Sequence, residues 1–247
     1  MKISVITAVY NNKNYIQSSI NSFNTQSFNY RDHIVIDGNS NDGTKEFLLA
    51  NQSYFAKLVS EKDSGVYDAL NKGFKLAKGD VVGWLHSDDF YANNDVLKKV
   101  SKLFSNPKVD IVYGDLDYVS KDGPNKIIRH WRAGEFSLDK LNLGWMPPHP
   151  TFFIRRNLLN KIGFFDTHYK IAADYDFMLR ALTQKNVNVV YLPEVLIKMR
   201  VGGMSNRSLK NILVKSYEDY QIIHRHKIGG IGTLLCKNLS KISQFFH

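Results

Sequence analysis

The chain has 247 residues, of which 43% are hydrophobic and 23% charged, a composition that excludes a wholly disordered protein and suits one substantial core. Its net charge of +10 suggests an anionic partner: nucleic acid, acidic lipid or a phosphorylated substrate. The single cysteine, Cys236, excludes an internal disulfide, and no uninterrupted apolar run is long enough to cross a bilayer.

The first ninety residues alternate between short apolar runs and helical patterns. The apolar runs predict four strands, at Ile3–Ala8, His33–Asp37, Phe55–Ser60 and in the run DVVGWL that begins at Asp80. Helical spacing of apolar residues predicts three helices between them, at Tyr15–Phe23, Thr44–Ala50 and Val66–Ala77. Strands that alternate with helices favour right-handed βαβ units, so an α/β fold with a parallel sheet is expected.

The fourth strand ends in the sequence HSDD, which contains the acidic pair Asp88–Asp89. Ligands bind at the carboxyl ends of the strands of an open α/β sheet, and two adjacent acids there can hold a divalent cation that bridges to a diphosphate. Asp is also favoured at helix caps and in turns, and the pair alone leaves both interpretations open. The other three strands also end in polar residues: Tyr10 with Asn11, Asp37, and Glu61 with Asp63. This convergence favours a binding site.

Beyond Asp89 the regular alternation ends. The patterns predict helices at Asp95–Phe104, Arg156–Ile162 and Tyr175–Thr183, and strands at Ile111–Gly114, Lys126–Trp131 and Thr151–Ile154. A strand pair or one broken strand is expected around Pro193. The chain has no P-loop and no GxGxxG after its first strand, which weakens the interpretations as a nucleotide hydrolase or a dinucleotide-dependent dehydrogenase.

The C-terminal tail, residues 207–247, holds seven Lys and Arg side chains against only Glu218 and Asp219. One helix is predicted at Ser208–His226. A second would carry apolar residues near one face, with Lys237 and Lys241 elsewhere: Ile231, Leu234, Leu235, Leu239, Ile242 and Phe245 or Phe246. This pattern suits an amphipathic helix on an anionic membrane surface, and equally a helix that covers the protein's own core or a second subunit of a homo-oligomer.

Five motifs in order resemble the inverting glycosyltransferases of family 2, which have the GT-A fold, and in particular bacterial enzymes of O-antigen, capsule or exopolysaccharide assembly. The motifs are ITAVYNN, VIDGNSNDGT, SEKDSGVYDALNKGFKLAKGD, WLHSDD and AADYDFMLRAL. The resemblance implies a Rossmann-like, mostly parallel central sheet flanked by helices over residues 1–205, with a basic helical extension over 206–247. Within the GT-A domain, residues 1–90 would bind the nucleotide sugar and residues 91–205 the acceptor.

The resemblance also implies a role for each matching residue. Those expected around the nucleotide are Thr7, Ala8, Tyr10 and Asn11 in the cleft, Asp37 at the base or ribose, Asp63 at the uracil, and Asn71 and Lys72 near the nucleoside. Asp88 and Asp89 would bind ribose and a Mn²⁺ or Mg²⁺ ion that holds the diphosphate of a sugar nucleotide, with a UDP-sugar favoured. A glycan or polyprenyl-linked acceptor would place the protein in the cytoplasm, either free or peripheral on the inner face of the membrane.

The metal set departs from the family's usual pattern, because His86 stands where members commonly have Asp. The set could be His86 with Asp88, or Asp88 with Asp89, and the sequence leaves both open. In either arrangement a divalent cation would act as a Lewis acid that neutralises the charge growing on the leaving diphosphate.

The catalytic base is expected to be Asp174, which matches the acid of the family's ED-type motif. The usual Glu of that motif is Ala173 here, and Asp176 lies two positions on, on a different helical face, as an alternative base. A positioned carboxylate that takes the proton of an acceptor hydroxyl typically contributes about 10²–10⁴-fold. Direct displacement would then invert the anomeric centre.

Two further features have competing interpretations. Arg200, with the following sequence VGGMS, could fold over the diphosphate as a lid, or form an ordinary strand-to-helix connection. His149 lies among three prolines and could take part in catalysis or simply pack. The competing functional class is a non-catalytic protein that binds a sugar nucleotide or nucleic acid. Nucleic acid is disfavoured, because the basic residues form no recognition motif and the expected cleft is acidic.

Overall fold

The computed structural model describes residues 1–121, 123, 125–201 and 209–243. In its first half four strands alternate with three helices, as the sequence predicts. The elements are β1 (Ile3–Val9), α1 (Lys13–Asn24), β2 (Arg31–Asp37), α2 (Thr44–Ala50), β3 (Lys57–Ser60), α3 (Val66–Leu76) and β4 (Val81–Trp84). The strands are parallel in the order β3-β2-β1-β4, so their carboxyl ends meet at one edge of the sheet.

The second half extends the same sheet with mixed strand directions. Its elements are β5 (Phe90–Tyr91), α4 (Val96–Phe104), β6 (Ile111–Val119), β7 (Ile127–Trp131), α5 (Leu138–Asn142), β8 (Phe153–Arg155), α6 (Arg156–Ile162), α7 (Ala173–Leu182) and β9 (Val189–Arg200). In the part of the chain that the structure describes, the strand order is β3-β2-β1-β4-β8-β6-β9-β5, with β7 against β6. Strand β8 is antiparallel to both of its neighbours, whereas β9 runs parallel to β6.

Strand β9 decides between two expectations, and two small elements were not expected. The chain around Pro193 forms one strand rather than a strand pair, and a register shift opposite Gly114 and Asp115 interrupts its pairing with β6. Proline cannot donate to the sheet ladder, so such a bulge accommodates it. The two-residue strand β5 and the five-residue helix α5 were not predicted, because segments this short carry no periodic signal.

Aromatic side chains fill the core between the sheet and helices α3 and α7. The ring centroids of Phe165 and Phe177 lie 4.7 Å apart, and those of Phe74 and Phe165 lie 5.3 Å apart. Trp84 of β4 contacts the same rings and is 1% exposed. Tyr67, at the start of α3, continues the cluster, with its ring centroid 5.2 Å from that of Phe165. The aromatic core therefore brings the N-terminal ends of α3 and α7 together.

The tail forms two helices, α8 (Leu209–Arg225) and α9 (Ile231–Ser243). Three of its residues, Ile222, Ile223 and Ile228, are buried members of the main hydrophobic core. The expected boundary between residues 205 and 206 lies outside the described residues, and the division into a domain and an extension stays a prediction. Among the described residues, no helix combines the length and the apolar character that crossing a membrane requires.

Lys237 of helix α9 points into the protein. The Lys237 ammonium lies 2.7 Å from an Asp219 carboxylate oxygen and 3.0 Å from the ring centroid of Tyr175, and the side chain is 3% exposed. The close approach of α9 requires Gly144, which has φ +74° and whose added Cβ would lie 2.5 Å from Lys237 Cβ. These contacts fix the rotation of the helix about its axis.

The apolar face predicted for α9 is divided by this rotation. Leu234 packs against the main core, whereas Ile231, Leu235 and Leu239 are 65%, 57% and 61% exposed. Phe245 and Phe246 lie outside the described residues. The inward lysine and the outward leucines are the reverse of what a surface helix ordinarily shows.

The hydroxyl of Thr7 on β1 is buried against a histidine of β2. Thr7 Oγ1 lies 2.9 Å from His33 Nε2, and both side chains are at most 1% exposed. The His33 ring also packs on Phe23 of α1, with 4.2 Å between ring centroids. Burial, followed by the charge of Arg31, lowers the pKa of His33 to about 3.

The low pKa of His33 predicts a loss of stability on mild acidification. Because the unfolded chain takes up a proton near pH 6.5 and the folded chain does not, stability falls as the pH drops through that value. Lowering the pH from 7 to 5 should cost about 2 kcal/mol through this residue. Urea unfolding at both pH values measures the loss of stability. In the double variant Thr7→Val/His33→Phe this loss should be smaller by about 2 kcal/mol. An equal loss in both proteins would contradict the prediction.

Candidate active site

The loops that follow the four parallel strands are joined by polar contacts. The Asn11 amide donates to Ser40 Oγ at 2.9 Å, and the Asn41 amide donates to Asn11 Oδ1 at 2.9 Å. Asn12 Nδ2 donates to Ser87 Oγ at 2.8 Å, which links the loop after β1 to that after β4. Asn11 itself has φ +47°, a left-handed conformation that Asn tolerates better than most residues. The predicted convergence of these loops is therefore observed.

Gly38 forms the floor between two of the predicted nucleotide residues. A Cβ added at this position would lie 2.6 Å from Asp63 Oδ2 and 3.2 Å from Tyr10 Cδ2, so only glycine fits without displacing them. The Tyr10 ring is 63% exposed and available for stacking. Tyr10, Asn11 and Asp63 thus lie together at the edge where a nucleoside is expected.

Other predicted nucleotide residues are buried beneath this edge. The Thr7 hydroxyl bonds His33, and the Ala8 side chain is 6% exposed within β1. Asp37 is fully buried, and its carboxylate accepts hydrogen bonds from Ser40 Oγ at 2.5 Å and Ser60 Oγ at 2.6 Å. In this structure these side chains support the edge rather than line it.

Two predicted residues on α3 have partners within the protein. The Asn71 amide donates to the Phe165 carbonyl and accepts from the Phe165 amide, both at 2.9 Å, which ties α3 to the loop before α7. The Lys72 ammonium lies 2.8 Å from Glu61 Oε1, at the rim of the same edge. Asn71 is therefore committed to protein contacts, whereas Lys72 is partly exposed beside the loop after β3.

The acidic pair lies in a turn directly before β5, so no helix follows that it could cap. Asp89 is 1% exposed, and its Oδ1 has no hydrogen-bond partner among the residues that the structure describes. Burial, followed by the charge of Asp88, raises the pKa of Asp89 well above its ordinary value, and Arg200 opposes the rise. Arg200 Nη1 donates to the Asp88 carbonyl at 2.5 Å. The sequence that follows Arg200, expected as a lid or a connection, lies outside the described residues from Gly202 to Ser208.

These two carboxylates fit a divalent cation better than the set that includes His86. Among the described residues, no three His, Cys, Asp or Glu side chains are grouped so that they could hold a metal ion. His86 Nε2 lies 3.1 Å from His149 Nε2, which directs the ring toward the histidine instead. The unpartnered Asp89 oxygen beside Asp88 suits a hard cation whose remaining ligands are water and phosphate oxygens.

Asp174 lies in the first turn of α7 and contacts two side chains from distant parts of the chain. The Tyr67 hydroxyl oxygen lies 3.2 Å from Asp174 Oδ1, and His149 Nδ1 lies 3.3 Å from Asp174 Oδ2. Since His149 also contacts His86, a polar chain leads from the turn after β4 to the carboxylate of Asp174. The Asp174 side chain is 17% exposed, so it can be reached from outside.

Both histidines of this row of polar contacts, His86 and His149, are held neutral. Burial, followed by the charge of His149, lowers the pKa of His86 to about 3. Burial also lowers the pKa of His149, although the neighbouring Asp174 carboxylate acts in the opposite direction. A neutral His149 with its proton on Nδ1 can accept a hydrogen bond from His86 Nε2 while its Nδ1 faces Asp174. In this tautomer His149 brings no positive charge to the carboxylate.

The alternative base, Asp176, is fully buried in ion pairs. Its Oδ2 lies 2.8 Å from Arg180 Nε, and its Oδ1 lies 2.8 Å from His226 Nε2. Burial acts to raise the pKa of Asp176, but the hydrogen bonds from His226 and Arg180 outweigh it and hold the pKa below its ordinary value. The geometry therefore favours Asp174 as the residue that can reach a substrate.

The contacts of Tyr67 and His149 were not found by sequence reasoning. Tyr67 lies inside a quoted motif, but nothing in the sequence connects it with a partner 107 residues away. For His149, the sequence left both packing and catalysis open, and the structure places its ring between His86 and Asp174. The signal in the sequence that could have indicated this position is a histidine in a proline-rich loop.

The comparisons with known proteins identify the family and agree with this fold. The family model described as Glycosyl transferase family 2 matches residues 4–175. The chain is also 34% identical over 184 residues to an uncharacterized glycosyltransferase of Mycobacterium tuberculosis, which covers 72% of this chain and 68% of that protein. A PGL/p-HBAD biosynthesis glycosyltransferase of Mycobacterium bovis is 30% identical over 212 residues, 82% of this chain and 78% of that one. The chain belongs to glycosyl transferase family 2 and is a glycosyltransferase.

Solved structures share the GT-A fold. Residues 1–349 of Staphylococcus aureus TarS in complex with UDP-GlcNAc align with a TM-score of 0.72 at 22% identity, over 92% of this chain and 65% of that one. The Pyrobaculum calidifontis mannosyltransferase PcManGT, in complex with GDP-Man and Mn²⁺, aligns with a TM-score of 0.67 at 18% identity, over 93% and 65%. The chain spans less than two thirds of these structures and 43% of a longer TarS chain.

Proposed function

We propose that this glycosyltransferase moves a sugar from a nucleotide sugar to an acceptor hydroxyl with inversion, with Asp174 as the base. The observation that carries the proposal is the environment of Asp174: a partly exposed carboxylate between Tyr67 and a neutral His149. Neither partner brings a positive charge that would form an ion pair with the carboxylate. A base so placed removes the proton of the acceptor hydroxyl as it attacks.

The donor would lie along the edge formed by the first four strands. Tyr10 and Asp63, on either side of Gly38, are suited to the nucleoside, because an exposed ring can stack on a base and a carboxylate can accept its N–H. Asp88 and Asp89 are suited to the diphosphate end through a divalent cation. When bound, Mn²⁺ or Mg²⁺ would supply Lewis-acid stabilisation of the leaving diphosphate.

A UDP-sugar is the favoured donor. The TarS structure contains UDP-GlcNAc, and PcManGT contains GDP-Man with Mn²⁺, so donors with either base are found on this fold. The Asp63 carboxylate can accept the N3–H of uracil, but guanine and thymine also present N–H donors, so the preference for UDP rests on the family resemblance. A thermal-shift and hydrolysis screen of UDP-, GDP- and dTDP-sugars, with Mn²⁺ and with EDTA, would decide between them.

The acceptor is proposed to be a bacterial surface glycan or its lipid-linked precursor. The similar mycobacterial proteins include one whose description names PGL/p-HBAD biosynthesis, so a glycolipid is as well supported as an O-antigen or capsule unit. A lipid-linked acceptor would require the enzyme to work at a membrane surface. The three outward residues of α9, Ile231, Leu235 and Leu239, offer an apolar contact on a tail that carries excess positive charge.

Replacing Asp174 by Asn should separate catalysis from donor binding. The amide keeps the shape and the Tyr67 contact but cannot take a proton, so turnover should fall by about 10²–10⁴-fold while UDP affinity stays the same. Turnover of the donor found by the screen and calorimetric titration with UDP measure the two effects. Asp176→Asn is the matched control: it should mainly lower stability, by about 3–5 kcal/mol, because it breaks a buried ion pair. Full turnover in Asp174→Asn would remove this residue from the mechanism. UDP binding without any turnover in the wild type would favour the non-catalytic alternative.

Replacing Asp89 by Asn should make nucleotide binding insensitive to metal. We expect UDP affinity in Mn²⁺ to fall at least about tenfold, because one charged ligand is lost, and EDTA should have the same effect on the wild type. Calorimetric titration with UDP in Mn²⁺ and in EDTA measures both. Asp95→Asn, at an exposed contact with Ser27, is the control and should bind as the wild type does. Metal-independent UDP binding by the wild type would contradict the proposed cation site at Asp88 and Asp89.

The exposed leucines of α9 should determine binding to anionic membranes. Leu235→Asn/Leu239→Asn should abolish sedimentation with phosphatidylglycerol vesicles, since it removes the apolar contact and leaves the net charge unchanged. Leu49→Asn/Leu138→Asn, at residues that are 46% and 60% exposed elsewhere, is the matched control and should sediment with the vesicles as the wild type does. Equal sedimentation of both double variants would exclude α9 as the membrane contact.

A further inference from the structure

We propose that Glu218, on helix α8 of the tail, is a positioning residue that sets the location of Asp174. The proposal rests on the proposed role of Asp174 as base. It makes the tail a working part of the active site rather than an appendage to it. Nothing in the motifs of the first 205 residues indicates this role.

The Glu218 carboxylate accepts hydrogen bonds from the backbone directly before α7. Its Oε1 accepts from the Lys170 amide at 2.8 Å, and its Oε2 accepts from the amides of Ile171 and Ala172, both at 2.9 Å. Glu218 is 7% exposed, so these bonds are largely shielded from water. Bonds from backbone amides to a carboxylate are charge-assisted and short, and three of them on one side chain fix that side chain and the segment together.

The same segment is held from the other side by Tyr67. The Tyr67 hydroxyl lies 2.7 Å from the Ile171 carbonyl oxygen and 3.2 Å from Asp174 Oδ1. Ile171 is therefore bound at its amide by Glu218 and at its carbonyl by Tyr67. Asp174 follows three residues later, within the first turn of α7. The contacts of Glu218 and Tyr67 with Ile171 therefore set the location of Asp174.

Helix α7 has no side chain of its own that could replace Glu218. The residue at its N-cap is Ala172, which makes no capping hydrogen bond, and Ala173 follows where related motifs usually have Glu. The carboxylate that serves these amides comes instead from α8. Small displacements of a catalytic group of about 1 Å can cost roughly 10²-fold in rate, so loss of this support should be visible in turnover.

The neighbouring residue, Asp219, provides a matched comparison. It is 1% exposed and binds Lys215 at 2.8 Å and Lys237 at 2.7 Å, which fastens α8 to α9. Both acids lie on the same helix and both are buried. Asp219 pairs with tail lysines, whereas Glu218 bonds the segment before α7. A purely structural role of α8 would make the two acids equivalent.

The test compares Glu218→Gln with Asp219→Asn in the full chain, at a temperature where urea unfolding shows both to be folded. Hydrogen exchange of the peptide that covers residues 170–174 is measured, together with the kcat and KM for UDP-GlcNAc in Mn²⁺, or for the sugar nucleotide that the screen identifies. We expect Glu218→Gln to speed exchange of this peptide at least tenfold and to lower kcat at least tenfold, with KM for the donor unchanged. Asp219→Asn should lose more stability but keep kcat within about threefold.

Two results would overturn the proposal. One is unchanged exchange at residues 170–174 in Glu218→Gln. The other is a loss of kcat that is equal in the two variants and follows their loss of stability. If the wild type turns over no sugar nucleotide, the proposed function fails, and the exchange measurement alone still decides whether Glu218 holds the segment.

Discussion

The rest of the site depends on the parallel pairing of β1, β2, β3 and β4. Because parallel strands end at the same edge, their loops must meet there, and each of those loops is rich in Asn, Asp and Ser. The loops bond one another across this edge, as Asn11 does with Ser40 and Asn12 with Ser87. The acidic pair after β4 therefore lies beside the groups suited to a nucleoside. No single loop of the chain could build this arrangement alone.

The partners of each buried or half-buried acid indicate what it can do. Asp176 is paired with Arg180 and hydrogen-bonded to His226, so it serves the structure. Asp37 is satisfied by serine hydroxyls beneath the cleft. Among the described residues, Asp89 keeps an oxygen without a partner, and the contacts of Asp174 with Tyr67 and His149 bring it no positive charge. These are the two acids that we propose for the cation and for the proton of the acceptor.

The alternation of strands and helices and the acidic turn could be predicted, because each depends on a local pattern. The role of Asp174, which was inferred from an ordered motif, stays a prediction. The direction of individual side chains could not. Thr7 and Asn71 belong to recognisable motifs, yet their polar groups bond His33 and Phe165 inside the fold. The inward direction of Lys237 could not be predicted either, because it depends on Asp219, which lies 18 residues earlier on the preceding helix. Such contacts are tertiary, and one sequence does not contain their geometry.

The central claim is that Asp174 activates an acceptor for direct displacement from the face opposite the diphosphate. The stereochemistry of the first product tests it most directly. Proton NMR of an α-linked sugar nucleotide, recorded during hydrolysis by the wild-type protein and before mutarotation, resolves the anomer that is released. The β-anomer should form first, and its rate of formation should fall with Asp174→Asn. Initial release of the α-anomer would contradict the mechanism.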